Sequence, residues 1–214
     1  MMTTNIGYWE KVLQDPTPAY KQLFEAEKQY LTAHIPSNSS VLDVGCGDGT
    51  TIQTILPITR NIVGIDNDVK AVEDARLKLS STPNVKIVLA DALKLPFEDK
   101  TFDVVLHMMT LVNFERNKVT VLQEMSRVLK DGGKIIISVY SEHAFPARME
   151  VYQKLGSPIE KIEGTTVTFD KSVGANKSEQ FTQEELELLV EQASLKIKAC
   201  QRVGDLAYIC ELTK

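Results

Sequence analysis

Short apolar runs alternate with segments of helical periodicity over most of the chain. Apolar residues spaced for one helix face follow Pro18, and the apolar run 41–44 leads into the glycine cluster 45–49. Beyond it the pattern predicts strands at 61–65, 85–90, 102–106 and 135–139, with helices before, between and after them. Runs that are apolar on both faces and alternate with helices are typical of a parallel sheet covered on both sides.

The pattern changes after residue 140. Residues 141–180 mix Gly, Pro and polar positions without a clear period, which indicates an insertion. A capping box at 182–185 predicts the start of a further helix. Two strand-like runs, 195–202 and 206–212, are separated by only three residues, so they are expected to form an antiparallel hairpin.

These patterns predict an α/β fold with a doubly wound, Rossmann-like seven-stranded sheet, mostly parallel and with the last strand antiparallel. We expect a single domain over residues 1–214. Its expected parts are a helical N-terminal flank (1–35), a ligand-binding core (36–140), an insertion (141–180), and a C-terminal helix and hairpin (181–214).

Composition narrows the classes of protein. With 43% hydrophobic and 25% charged residues, the 214-residue chain has the composition of a soluble globular protein. Its 24 Lys and Arg against 29 Asp and Glu give a net charge of −5, which argues against a nucleic-acid partner. We expect no membrane segment and no secretory signal. Three cysteines without a CxxC pair predict reduced thiols, no metal site and a cytoplasmic location.

The glycine cluster predicts a nucleotide site. Glycines after a strand let the backbone turn sharply and let a ligand approach bare N–H groups. Asp66 follows Gly45 by 21 residues, at the end of the next predicted strand, where a carboxylate can accept hydrogen bonds from ribose hydroxyls. The spacing Gly45-x-Gly47-x-Gly49 differs from the dinucleotide pattern, which disfavours an NAD-dependent oxidoreductase without excluding it. Asp43, inside the first strand, favours a cationic ligand.

Four ordered segments resemble the class I S-adenosylmethionine-dependent methyltransferases, of the type that acts on small molecules. The segment 41–49 matches the first motif of that family, and 63–66 matches its second-strand acid. The segments 90–105 and 124–133 resemble the adenine-binding loop with its fourth strand and the approach to the fifth strand. The resemblance covers roughly residues 35–140 and implies S-adenosylmethionine as the cofactor.

The resemblance also implies which residues contact the cofactor. The first strand and the glycine loop are expected to hold the methionine end of the cofactor. The acid at the end of the second strand is expected to bind the ribose. The residue after that acid and the residues after the third strand are expected to contact the adenine. A histidine just past the predicted fourth strand, His107, is expected to face the methyl donor. The implied cofactor-binding residues are Asp43, Gly45, Cys46, Gly47, Asp66, Asn67, Asp91, Ala92 and His107.

The acceptor side carries weaker signals. His107 and His143 are candidate general bases, although His107 could instead only contact the cofactor and His143 could be an ordinary loop residue. Aromatic residues before the core and at the end of the fifth strand are candidates to line the acceptor pocket. The predicted acceptor-binding residues are Tyr8, Trp9, Tyr20, Tyr140 and His143.

The reaction that these patterns predict is methyl transfer to a small-molecule acceptor that the sequence does not name. The Asn/Asp-Pro-Pro-Tyr motif of amino-methylating enzymes is absent after the fourth strand, where residues 106–110 read Leu-His-Met-Met-Thr. Exocyclic amines of DNA bases and glutamine side chains are therefore not the expected acceptors. A non-catalytic module that binds the nucleoside as a sensor stays an open alternative. The oligomeric state is not predicted.

Overall fold

The computed structural model describes residues 8–59, 61–170 and 177–214, with side chains from residue 11 onward. The helices are α1 (Tyr8–Gln14), α2 (Pro18–His34), α3 (Thr50–Ile55), α4 (Val69–Lys78), α5 (Lys118–Val128), α6 (Phe145–Lys154) and α7 (Gln183–Gln192), with a 3-10 helix at Leu111–Asn117. The strands are β1 (Val41–Val44), β2 (Ile62–Asp66), β3 (Val85–Leu89), β4 (Phe102–Met108), β5 (Leu129–Tyr140), β6 (Ile159–Glu163), β7 (Thr166–Phe169), β8 (Lys177–Ser178), β9 (Lys196–Val203) and β10 (Ala207–Thr213).

A seven-stranded sheet forms the centre of the molecule, in the order β3-β2-β1-β4-β5-β10-β9. Neighbouring strands from β3 to β5 are parallel, whereas β10 lies antiparallel between β5 and β9. The predicted fold class is therefore confirmed, including the antiparallel last strand. Because the order reverses at β1 and β4, the carboxyl ends of these strands open the crevice in which such sheets bind ligands.

Local sequence explains why the elements begin where they do. Helix α2 begins at Pro18, whose fixed φ suits the first helical turn. It buries the side chains of Tyr20, Leu23, Tyr30 and Leu31 against the sheet. In α7 the Thr182 side chain accepts from the Glu185 N–H, and the Glu185 carboxylate accepts from the Thr182 N–H, so the predicted capping box is present.

Two strand boundaries differ from the sequence prediction. Strand β5 begins at Leu129, whereas the sequence predicted a strand over 135–139. Strand β4 continues to Met108, which places His107 inside the strand and not just past it. His107 and Met108 pair with Ile137 and Ser138 of β5, and such tertiary contacts extend β4 beyond its apolar run. Residues 131–133 lie instead at an irregularity in the register between β4 and β5, where Gly132 has a φ of 75°.

The insertion after β5 has regular structure. Helix α6 is followed by a small antiparallel sheet in the order β6-β7-β8. The fully buried Arg148 of α6 joins these parts, because its guanidinium donates to the Thr165 carbonyl at 3.1 Å and to the Ser178 hydroxyl at 2.9 Å. The strands of this sheet have only two to five residues, too few for a clear period in the sequence.

The cysteines differ from the expectation of reduced thiols. Cys200 and Cys210 lie directly opposite each other on β9 and β10 and form a disulfide. Sequence spacing alone gave no sign of this pair, because the hairpin register brings the two residues together. Cys46 is free and buried, and burial raises the pKa of its thiol.

None of the helices in the described ranges combines the length and the apolar character needed to cross a bilayer.

Candidate functional site

The loop after β1 carries backbone conformations that favour glycine. Gly45, Gly47 and Gly49 have φ values of 78°, 54° and 83°. A Cβ at Gly45 would lie 2.6 Å from the Thr110 methyl group, whereas a Cβ at Gly47 would meet no atom within 4 Å. Gly45 is therefore required by packing within the protein, and Gly47 borders open space that a ligand can fill.

Asp66, at the end of β2, shapes this loop. Its carboxylate is half-buried, accepts from the Gly47 N–H at 2.9 Å through Oδ2, and accepts from the Asp68 N–H at 3.0 Å through Oδ1. A carboxylate offers about four acceptor sites, so further donors can bind. Asn67, the predicted adenine neighbour, is exposed beside it.

Asp43, within β1, is a buried carboxylate that lacks a compensating cation. It is 1% exposed, and its Oδ2 has no hydrogen-bond partner among the described residues. Burial, followed by the charges of Asp66 and Glu27, raises the pKa of Asp43 to about 7. An unpaired buried carboxylate is costly unless a cationic or donating group binds it.

The segment after β3 is tied to α5. The Asp91 carboxylate accepts from the Leu93 N–H at 2.9 Å, and Ala92 is buried. Arg127 of α5 donates to the carbonyls of Leu95 at 3.0 Å and Phe97 at 2.8 Å. Its guanidinium also pairs with the carboxylates of Glu124 and Asp99. The loop predicted to bind adenine is thus held against α5 by its own carbonyl groups.

His107 is fully buried in β4. Its Nδ1 lies 2.7 Å from the Val44 carbonyl oxygen, so Nδ1 carries the proton and Nε2 has a free lone pair. Nε2 has no partner among the described residues. Burial lowers the pKa of His107 to about 4, although the bond to Val44 opposes this shift. Leu106 pairs with Asp43, so these two side chains share one face of the sheet. His107, the next residue of β4, therefore lies on the face opposite to that of Asp43.

The candidate acceptor residues are only partly brought together. Tyr20 of α2 and Tyr140 of β5 are buried, and their hydroxyl oxygens lie 2.8 Å apart. His143 is exposed instead, with its Nε2 at 3.5 Å from the carboxylate of Glu142. Tyr8 and Trp9 fall within the backbone of α1, but their side chains lie outside the described part of the chain.

Glu27 is a partly buried carboxylate beside the sheet that the sequence analysis did not single out. It lies on α2, and its Oε1 accepts a 2.6 Å hydrogen bond from the hydroxyl of Ser138 on β5. The Met109 N–H donates to the same hydroxyl at 3.0 Å. Burial raises the pKa of Glu27 to about 7. The available signal was a carboxylate seven residues after Tyr20, on the helix face that packs against the sheet.

Within residues 8–59, 61–170 and 177–214, no three or more His, Cys, Asp or Glu side chains lie together in a way that could hold a metal ion.

Sequence comparison gives matches to methyltransferases. Residues 42–137 match the family model described as a methyltransferase domain. The chain is 34% identical over 121 residues to a demethylmenaquinone methyltransferase of Staphylococcus aureus, strain JH9. That alignment covers 55% of this chain and 50% of the relative, so the chain spans about half the length of the curated relatives it matches.

Solved structures match nearly the whole chain. A protein of Pyrococcus horikoshii OT3 superimposes with a TM-score of 0.70 and 27% identity, covering 92% of each chain. A 1,6-didemethyltoxoflavin-N1-methyltransferase of Burkholderia thailandensis, solved with 1,6-didemethyltoxoflavin and S-adenosylhomocysteine, gives a TM-score of 0.72 at 18% identity. This second match covers 95% of this chain and 81% of the other, and it shows the fold alone.

Proposed function

We propose that this chain is a class I S-adenosylmethionine-dependent methyltransferase, which transfers a methyl group from S-adenosylmethionine to a small-molecule acceptor. The observation that carries the proposal is the unpaired carboxylate of Asp43 beside an open glycine loop. S-adenosylmethionine is a nucleoside with an ammonium and a sulfonium group, so it matches both the loop and the buried negative charge.

The residues present fit this cofactor. Asp43 and the backbone of Gly45 to Gly47 would hold the methionine end, where the orphaned Oδ2 can bind a cationic group. Asp66 would bind the ribose hydroxyls with the lone pairs that Gly47 and Asp68 leave free. The segment after β3, with Asp91 and Ala92, and the neighbouring Asn67 would contact the adenine.

The bound cofactor would supply an activated methyl group on a sulfonium, so the protein mainly orients the acceptor and excludes water. His107 is poorly suited as a general base, because it is fully buried and its pKa is lowered to about 4. We assign it a supporting role, in which its Nδ1–H anchors the end of β1 through Val44. His143, exposed after β5, stays a candidate base.

The similar proteins support a small-molecule acceptor. The curated relative is named for demethylmenaquinone, and the Burkholderia structure contains 1,6-didemethyltoxoflavin. Neither of these named compounds is a macromolecule. The net charge of −5 likewise argues against a nucleic-acid acceptor.

Calorimetry tests the donor side. We expect S-adenosylmethionine and S-adenosylhomocysteine to bind with micromolar-scale affinity, and NAD not to bind. Binding of NAD without any response to S-adenosylhomocysteine would contradict the proposal and favour an oxidoreductase. Transfer of a labelled methyl group to a panel of small molecules then separates an enzyme from a nucleoside-binding module.

A further inference from the structure

One ion pair ties the glycine loop to helix α4. Asp48, between Gly47 and Gly49, pairs through Oδ2 with the ammonium group of Lys78 in the last turn of α4. The same ammonium group lies 3.3 Å from the hydroxyl oxygen of Thr50. The side chains of Lys78 and Asp48 are only 27% and 19% exposed, so salt screens this pair less than a pair on the open surface.

The end of α4 also packs against the loop. A Cβ at Gly49 would lie 2.8 Å from Cδ1 of Leu79, the residue that follows the helix. Asp48 accepts through Oδ1 from the N–H of Thr50 at 3.2 Å and from the Thr50 hydroxyl at 2.8 Å. Asp48 therefore holds the first residue of α3 with one carboxylate oxygen and binds Lys78 with the other.

Three carboxylates lie in the loop or at the strands that lead into it. Asp43 precedes the loop in β1 and Asp66 ends β2, and neither forms an ion pair in the described ranges. Burial is the largest cause of the raised pKa of the Cys46 thiol, and the charge of each of the three carboxylates adds to it. The three charges therefore act on one small region, in which Lys78 neutralises the charge of Asp48.

The methyl donor and its product differ by one charge at this loop. S-adenosylmethionine has a single net positive charge, because its ammonium and carboxylate groups cancel and the sulfonium remains. S-adenosylhomocysteine has lost the methyl group and has no net charge. A negative charge near the loop therefore stabilises the bound donor more than the bound product, through its attraction to the sulfonium.

We propose that Lys78 sets the preference of this site for S-adenosylmethionine over S-adenosylhomocysteine, because it neutralises the carboxylate of Asp48. Lys78 is a positioning residue, which acts through Asp48 and contacts no part of the cofactor. The inference rests on the proposed function, since it takes the glycine loop to bind the methionine end of the cofactor.

The test changes the two residues of the pair one at a time. Lys78→Met and Asp48→Asn both break the ion pair, but the first leaves a negative charge at the loop and the second a positive one. We expect Lys78→Met to shift the ratio of the two affinities by about threefold or more towards S-adenosylmethionine. Asp48→Asn should shift it towards S-adenosylhomocysteine by a similar factor. A purely structural role of the pair does not produce shifts of opposite sign.

Calorimetry on the full chain, at pH 7 and low salt, measures both dissociation constants. The double variant Lys78→Met/Asp48→Asn has neither charge, so its ratio should return to that of the parent protein. Lys100→Met is the matched control, because it breaks an exposed pair with Asp131 at the amino end of β4, whereas the loop follows the carboxyl end of β1. It should leave the ratio unchanged.

Shifts of the same sign in the two single variants, or no shift, would overturn the inference, since the pair would then serve only the structure of the loop. Asp48→Asn keeps an amide oxygen that can accept from Thr50. This variant alone therefore decides the test if Lys78→Met does not fold, because an unchanged ratio in Asp48→Asn also overturns the inference.

Failure of the inference differs from failure of the proposed function. A parent protein that binds neither S-adenosylmethionine nor S-adenosylhomocysteine contradicts the proposed function. A parent that binds both, with variants that leave the ratio unchanged, contradicts only the role of Lys78.

Discussion

Asp43 couples folding to pH in the direction opposite to most carboxylates. Burial raises its pKa to about 7 in the folded protein, from an ordinary value of 3.8. Between these values the folded state keeps a proton that the unfolded state has released, so stability is full at low pH and falls as pH rises towards 7. The slope is about 1.4 kcal/mol per pH unit for each such group.

We therefore expect the cofactor-free protein to lose stability between about pH 4 and pH 7, and Asp43→Asn to remove part of this loss. At pH 8 the variant should be more stable than the parent by on the order of 2 kcal/mol, because no buried charge forms. Urea unfolding at pH 5, 6, 7 and 8 measures this. Asp74→Asn, at an exposed pair with Lys70, is the control and should leave the slope unchanged.

Asp66 has a structural and a proposed binding role in the same carboxylate. Asp66→Ala removes the acceptor for the Gly47 N–H and the proposed acceptor for the ribose hydroxyls. We expect affinity for S-adenosylhomocysteine to fall by roughly 2–4 kcal/mol, since hydrogen bonds to a charged group contribute about 1.5–3 kcal/mol each. Calorimetry measures the change, and an unaltered dissociation constant would contradict the role.

Asp68→Ala is the matched control for Asp66→Ala. Asp68 caps α4 through the Ala71 N–H at 2.9 Å, so its loss should cost about 1 kcal/mol of stability. Its effect on affinity should be small, because the side chain serves the helix.

At the scale of single elements, the loop between β1 and α3 offers a test in which two glycines differ. Gly45→Ala brings a Cβ into the Thr110 side chain, so we expect a loss of stability of about 2 kcal/mol or more. Gly47→Ala meets only open space and should cost about 1 kcal/mol, from its positive φ. If the cofactor fills that space, Gly47→Ala folds but binds S-adenosylhomocysteine poorly. Thermal unfolding together with calorimetry separates the two effects.

Elements could be predicted wherever burial imposes a strong pattern. The strands β1, β2 and β4 and the helix α2 follow apolar runs or stripes, because both faces of the sheet are covered. The start of β5 could not, since Asp131 and two glycines interrupt the apolar run and lie at an irregularity in the pairing with β4. The sequence analysis did not single out Glu27, because a polar residue in a helix is ordinarily a surface residue.

At the scale of the whole molecule, two regions that flank the core in sequence meet in space. The Lys154 ammonium of α6 pairs with the Asp15 carboxylate at 2.8 Å, just after α1. We expect residues 1–20 and 141–180 to gain protection from hydrogen exchange when S-adenosylhomocysteine binds, because water exclusion favours the transfer. Protection confined to 43–49, 65–67 and 91–92 would mean that the cover is formed by other segments.

The sequence predicts the cofactor-binding core better than it predicts the acceptor side. The cofactor residues lie in contiguous motifs at strand ends, where local sequence determines their position. The acceptor side depends on contacts between distant segments, such as Tyr20 with Tyr140 and Glu27 with Ser138, 120 and 111 residues apart. No local pattern in the sequence reports such pairs.

The attachment of the segment 95–99 to Arg127 has a thermodynamic consequence. A free loop would lose conformational entropy each time a ligand bound, at about 1–2 kcal/mol for each residue ordered. Because Arg127 already fixes the Leu95 and Phe97 carbonyls, much of this loss occurs once, during folding. A defect at Arg127, a residue with no proposed ligand contact, should therefore appear as a weaker affinity with a more unfavourable binding entropy.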